Sequence, residues 1–303
     1  RSTLQVGRQD LRCMMSGSIL LTHFRRVRPA SGLGLSLRVA ALLALSACQS
    51  TPTSLPGTQL DTLQGRKIET LTQIKPQAKA VVVFENGARG TIDKWAQVMA
   101  GLSQENLSLF AYNRPGYANS EVSPSVRTGK VIVEELHQLL QAKKLTPPYI
   151  LVGHSMGGLY MQLYAKTYPN EVQGIVLVDA LYPGVFKRPE DFPLSTRLAK
   201  KLFLSATVQQ EVDHIYETGE AVSALPSIDN KPMVRLFNVP KSASAIGVDF
   251  GVINKGPAVV EQVKNLYPNA RKVIADSDHE MQTDKPDLVI QAIKEVTQAT
   301  ALR

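Results

Sequence analysis

The sequence predicts an α/β protein: a mostly parallel, twisted sheet with helices on both faces and a helical cap inserted in its second half. Two patterns carry this. Short runs that are apolar at every position, such as residues 80–84 (AVVVF) and 149–152 (YILV), alternate with stretches whose apolar residues recur at helical intervals, such as 131–140. A strand without polar alternation is buried on both faces, which requires helices above and below it. The alternation breaks once, at about 183–230, where a charged segment has helical spacing around 198–204 and 212–216 and prolines at both ends. That segment is expected to cap the sheet edge and to shape any pocket there.

In chain order, residues 59–63 and 67–72 flank Gln64-Gly65-Arg66 and predict a hairpin. A buried strand is expected at 80–84, a helix at 92–102, a second buried strand at 107–112 and a helix at 131–140. A third strand at 149–152 leads into a helix from Met156 to about Thr167, and a fourth strand follows at 174–178. Beyond the cap, helices are expected at 259–266 and 286–296, with a strand at 271–275. Two segments compete for the strand just after the cap. Residues 232–237 are the better strand by composition, whereas 242–246 follow Val239-Pro240 and precede Gly247.

The net charge of +8 is concentrated at one end. Residues 1–47 hold seven arginines and one acid, leaving 27 basic and 25 acidic residues in the remainder. The rest of the chain is therefore nearly neutral, and nucleic-acid binding is not expected. Arg25, Arg26, Arg28 and Arg38 precede an apolar run at 39–47, shorter than the roughly 20 residues a spanning helix needs, so 1–47 reads as leader and signal peptide. Leu45-Ser46-Ala47-Cys48 resembles the lipobox of bacterial lipoproteins. The resemblance implies removal of the signal, lipidation of Cys48 and anchoring in the cell envelope. By the same likeness, Gln49 in place of aspartate implies the periplasmic face of the outer membrane. Residues 1–13 fit no part of such a signal, and Met14 or Met15 is a plausible translation start. Residues 48–57, rich in Ser, Thr and Pro, read as the lipidated tether, and 58–303 as the folded domain. Cys13 and Cys48 are the two cysteines. No CxxC or His/Cys cluster suggests a metal, and no cofactor is implied.

The chemistry centres on Gly153-His154-Ser155-Met156-Gly157, a G-x-S-x-G between a predicted strand and a predicted helix. The turn must be sharp to lift the serine hydroxyl clear, and the glycines are expected where strand and helix approach too closely for side chains. Here the chain resembles the α/β-hydrolase family, from about Gln59 onward. Phe84-Glu85-Asn86-Gly87-Ala88 is similar to the family's His-Gly-x turn, with Asn86 in place of histidine. The resemblance implies an oxyanion hole formed by the backbone N–H groups of Ala88 and Met156. Asn113-Arg114-Pro115-Gly116-Tyr117-Ala118-Asn119-Ser120 resembles the D-R-P-G-x-G-x-S loop, with Asn113 for aspartate and Ala118 for the second glycine. By that likeness Arg114 supports the site and does no chemistry. Ser277-Asp278-His279-Glu280 resembles the catalytic-histidine turn.

Serine at its free pKa is a poor nucleophile and needs a base. Of His23, His137, His154, His214 and His279, only His279 stands in the order Ser, acid, His. The acid is expected at Asp249, thirty residues before His279, with Asp179 as the alternative if 232–237 is the strand after the cap. The resemblance implies hydrolysis of a carboxylic ester through an acyl-enzyme, with a small ester-like substrate. Lactone, C–C bond or N-terminal peptide hydrolysis on the same serine is the next expectation, and a lipid-tethered binding protein with a retired site the third. A serine elbow, in place of aspartate, disfavours haloalkane dehalogenase and epoxide hydrolase chemistry.

Overall fold

The computed structural model describes residues 55–239, 251–254 and 256–301. Among these, eight strands form one sheet. The predicted hairpin is β1 (Thr58–Leu63) and β2 (Arg66–Gln73), turning through Gln64 and Gly65, both at positive φ. The core strands are β3 (Val81–Glu85), β4 (Ser108–Tyr112), β5 (Tyr149–His154), β6 (Val172–Val178), β7 (Met233–Val239) and β8 (Arg271–Asp276). The sheet order is β1-β2-β4-β3-β5-β6-β7-β8. The pairs β1–β2 and β2–β4 are antiparallel and the rest are parallel. Residues 232–237, the better strand by composition, thus supply β7. The competing segment 242–246 and Asp249 lie outside the described residues, as do the leader, Cys48 and His23.

Helices follow the strands as the spacing predicts. They are α1 (Ala96–Gly101), entered by a 3-10 turn at Ile92–Trp95, α2 (Gly129–Ala142) and α3 (Met156–Thr167). The 183–230 segment holds α4 (Leu194–Phe203), α5 (Ala206–Asp213) and α6 (Ile215–Ala224). Then come α7 (Pro257–Asn265), α8 (Met281–Asp284) and α9 (Pro286–Ala301). Thr128 and Ser205 cap α2 and α5, their hydroxyls accepting from the N–H groups of Val131 and Val208. No helix of the described residues is long and apolar enough to cross a membrane.

Strand periodicity divides the core in two. Val81, Val83, Tyr149, Leu151, Ile175 and Leu177 face the layer of α2, α3 and α6. Val82, Phe84, Ile150, Val152, Val176 and Val178 face that of α1 and α9. All of them are buried, so truncating one, as in Leu151→Ala, costs about 2–5 kcal/mol. The chain leaves β3 toward β4 on one side and returns to β5 on the other. The C-terminal ends of β3 and β5 therefore border the crevice where connections diverge, which is where open α/β sheets bind ligands.

Candidate active site

Ser155 sits in that crevice, between β5 and α3, at φ 52° and ψ −122°. For a non-glycine residue such backbone strain costs about 1–3 kcal/mol and persists only where neighbours enforce it. They do so on both sides of the peptide. Ser155 N–H donates to Val178 O at 3.1 Å, while its carbonyl accepts from Leu181 N–H at 2.9 Å and Gly158 N–H at 3.0 Å. The flanking glycines are required by close approach. A Cβ on Gly157 would lie 2.5 Å from the carbonyl oxygens of both Glu85 and Asn86, and one on Gly153 would lie 2.6 Å from Gly158 Cα. Backbone on every side leaves nothing to rotate away.

His279, in the turn between β8 and α8, meets Asp179. Its Nδ1 lies 2.6 Å from Asp179 Oδ2. Asp179 ends β6 with φ 40°; its N–H donates to Leu236 O at 2.9 Å, and Asn238 N–H donates to its Oδ1 at 3.3 Å. The carboxylate is thus tied to β7 through one oxygen and to the imidazole through the other. With Nδ1–H donated to Asp179, His279 keeps the Nε2 lone pair as a base. The hydrogen bond to Asp179 raises the His279 pKa above its ordinary value, against a smaller opposing effect of burial.

His154 has a part that its position in the motif does not announce. Its Nε2 lies 2.9 Å from the His279 backbone carbonyl, and the two rings are 4.7 Å apart. Burial, with the His279 charge second, lowers its pKa to about 3. The ring is therefore neutral near pH 7, and Nε2 must carry the proton that the carbonyl accepts. The buried His154 braces the turn that carries His279.

The opposite wall is the turn after β3. A Cβ on Gly87 would lie 3.0 Å from both Ser155 Cβ and His154 Nδ1, so this turn lies against the serine. Ala88 follows it, exposed, and Met156 is buried as the first residue of α3. Asn86 is buried with both side-chain amide atoms lacking a partner among the described residues. Its backbone carbonyl is engaged instead, by Arg114 Nη1 at 2.6 Å. Arg114 is buried and ion-paired with Glu85 and with Glu211 of α5. Asn113 accepts from Ile92 N–H at 2.9 Å and donates to Glu69 at 2.7 Å, so the loop from Asn113 onward is tied to β2 and to the 3-10 turn.

The remaining described histidines pair locally, His137 with Glu171 and His214 with Glu217. In the segment expected to shape the pocket, Leu202 and Phe203 are 68% and 77% exposed, facing solvent, whereas Thr207, Val208 and Glu211 of α5 are buried.

Residues 80–240 match the family model described as alpha/beta hydrolase fold, more than half of the chain. The chain belongs to that family. Among curated relatives, an uncharacterized protein, YqjL, of Bacillus subtilis is 34% identical over 35% of the chain and 41% of its own length. Monoacylglycerol lipase ABHD6 of Mus musculus is 30% identical over 50% of the chain and 44% of its own length. The matched stretches span less than half of these relatives. Among solved structures, a thermophilic esterase from Thermogutta terrifontis superposes with a TM-score of 0.56 at 18% identity, over 80% of this chain and 97% of that one. At that identity the likeness shows the fold.

Proposed function

We propose that this hydrolase cleaves carboxylic esters through a covalent acyl-enzyme. Ser155 Oγ attacks the carbonyl while His279 Nε2 takes its proton; His279 then returns the proton to the leaving alcohol. Asp179 holds the imidazole in the required tautomer and stabilises the imidazolium. The Ala88 and Met156 N–H groups receive the oxyanion. Water, deprotonated by the same imidazole, attacks the acyl-enzyme and regenerates Ser155. The observation that carries this is the 2.6 Å contact between His279 and Asp179, at the sheet end where Ser155 is held at positive φ. Kinship with a monoacylglycerol lipase, whose name denotes an ester substrate, favours esters over other carbonyl compounds. Hydrolysis of p-nitrophenyl esters of increasing acyl length, by wild type and Ser155→Ala, tests the reading. Turnover of at least one ester by wild type only is expected; no turnover of any ester, or equal turnover by both, would refute it.

Lipidation of Cys48 and envelope anchoring are proposed alongside, on the lipobox-like sequence alone. Intact-mass measurement of the membrane fraction is expected to find acylated Cys48 at the amino terminus. An unmodified Cys48 still preceded by residues 14–47 would refute it.

A further inference from the structure

The guanidinium of Arg114 has all of its five donors occupied. Nε and Nη2 form a fork on Glu211, at 3.1 and 3.0 Å. Nη1 donates to Glu85 and to Asn86 O, and Nη2 also donates to Gly87 O at 3.0 Å. Two of the acceptors are thus backbone carbonyls of the turn that lies against Ser155. A trans peptide directs its C=O and N–H to opposite sides. Holding Gly87 O on the Arg114 side therefore directs the next N–H, that of Ala88, away from Arg114. Glu211 is fully buried on α5 and also accepts from Tyr117 OH at 2.5 Å, so the fork is fixed from the cap side. The Arg114 plane is further confined by the Tyr117 and Tyr160 rings, at 4.5 and 5.4 Å.

We propose that Arg114 is a positioning residue that aims the Ala88 N–H at the oxyanion, and that Glu211 couples this aim to the seating of α5. The proposal rests on the serine-hydrolase reading above. It makes α5 part of the catalytic apparatus: an α5 that lifts takes the Arg114 fork with it and releases the Gly87–Ala88 peptide. A lysine cannot replace the arginine, because a single ammonium cannot span a carboxylate fork and two carbonyls in fixed geometry.

The test uses the full chain, with Arg114→Lys and Glu211→Gln assayed on p-nitrophenyl butyrate and by thermal unfolding. Oxyanion donors act in the transition state, so kcat should fall by about 10–10²-fold with KM little changed. The affinity of a trifluoromethyl ketone, which presents a tetrahedral oxyanion, should fall in parallel with kcat/KM. Ala88→Pro removes the N–H itself. In that background Arg114→Lys should add less than about threefold, since both changes delete one interaction. Folded variants with wild-type kcat, or full additivity with Ala88→Pro, would overturn the proposal. Failure of both Arg114→Lys and Glu211→Gln to fold would overturn it too, because the network would then serve the fold and not the turn. Ser155→Ala separates the two levels. If Ser155→Ala stays active, the serine-hydrolase reading fails; if it is inactive while both network variants keep wild-type kcat, only the positioning role fails.

Discussion

Asp179 and His279, one hundred residues apart in sequence, are joined by a 2.6 Å contact between carboxylate and imidazole. The second carboxylate oxygen is taken by Asn238 N–H, so the acid cannot swing away without breaking a tie to β7. Asp179→Asn keeps the shape but offers an amide that no longer favours the Nδ1–H tautomer. Its kcat is expected to fall about 10⁴-fold with the fold intact, and that of Asp249→Asn only a few-fold. Collapse of Asp249→Asn beside an active Asp179→Asn would reverse the assignment.

The raised His279 pKa fixes the sense of the pH profile. A general base must be neutral, so kcat/KM should rise with pH, with its midpoint above the ordinary histidine value of about 6.5. Asp179→Asn should move the midpoint downward in whatever activity remains. For stability, a raised folded-state pKa contributes most below the unfolded value and loses that contribution as pH rises through the folded one. An unmoved midpoint in Asp179→Asn would contradict the cause assigned to the shift.

His154 acts in the opposite sense. It stays neutral in the fold down to about pH 3, while in the unfolded chain it protonates near its ordinary value. Stability should therefore decline as pH falls from about 6.5 toward 3, by about 2 kcal/mol at pH 5. His154→Gln should flatten that slope and, by loosening the His279 turn, lower kcat. Urea denaturation at pH 5 and pH 8 checks this; an identical slope in the variant would contradict it.

Gly157→Ala should be among the most damaging single-methyl additions, because its Cβ would meet two backbone carbonyls at 2.5 Å. Overpacking of this kind typically costs about 1–3 kcal/mol. Here relief requires moving the turn after β3 away from Ser155, so activity should fall along with Tm. A variant with wild-type Tm and kcat would contradict this.

Much of this was legible in the sequence for identifiable reasons. The strands at 80–84, 107–112 and 149–152 were readable because double burial removes polar alternation. The strand-end turns that carry Ser155 and His279 are legible because each stands in a short motif. The carboxylate set against His279, that of Asp179, is not, because an aspartate at a strand end carries no local signal. The register of Val239-Pro240 points to Asp249, whereas composition at 232–237 favours a strand that leaves Asp179 as the alternative. With β7 at Met233–Val239, the Asn238 and Leu236 backbone holds Asp179 in place. Glu211 had no signal: one acid in a charged helix looks solvated until its partner Arg114, 97 residues away in sequence, is known. Glu85 did leave a trace, as a charge directly after four apolar residues in a strand buried throughout. The cap is legible only as helical spacing, which cannot say which face turns inward; Leu202 and Phe203 face solvent.

The most direct test of the central claim is covalent. The full chain is treated with a fluorophosphonate, digested, and the modified residue located by mass spectrometry. Ser155 should be phosphonylated at a single site, and His279→Ala should abolish the modification. No labelling, or labelling that maps elsewhere and survives Ser155→Ala, would contradict the assignment of Ser155 as nucleophile.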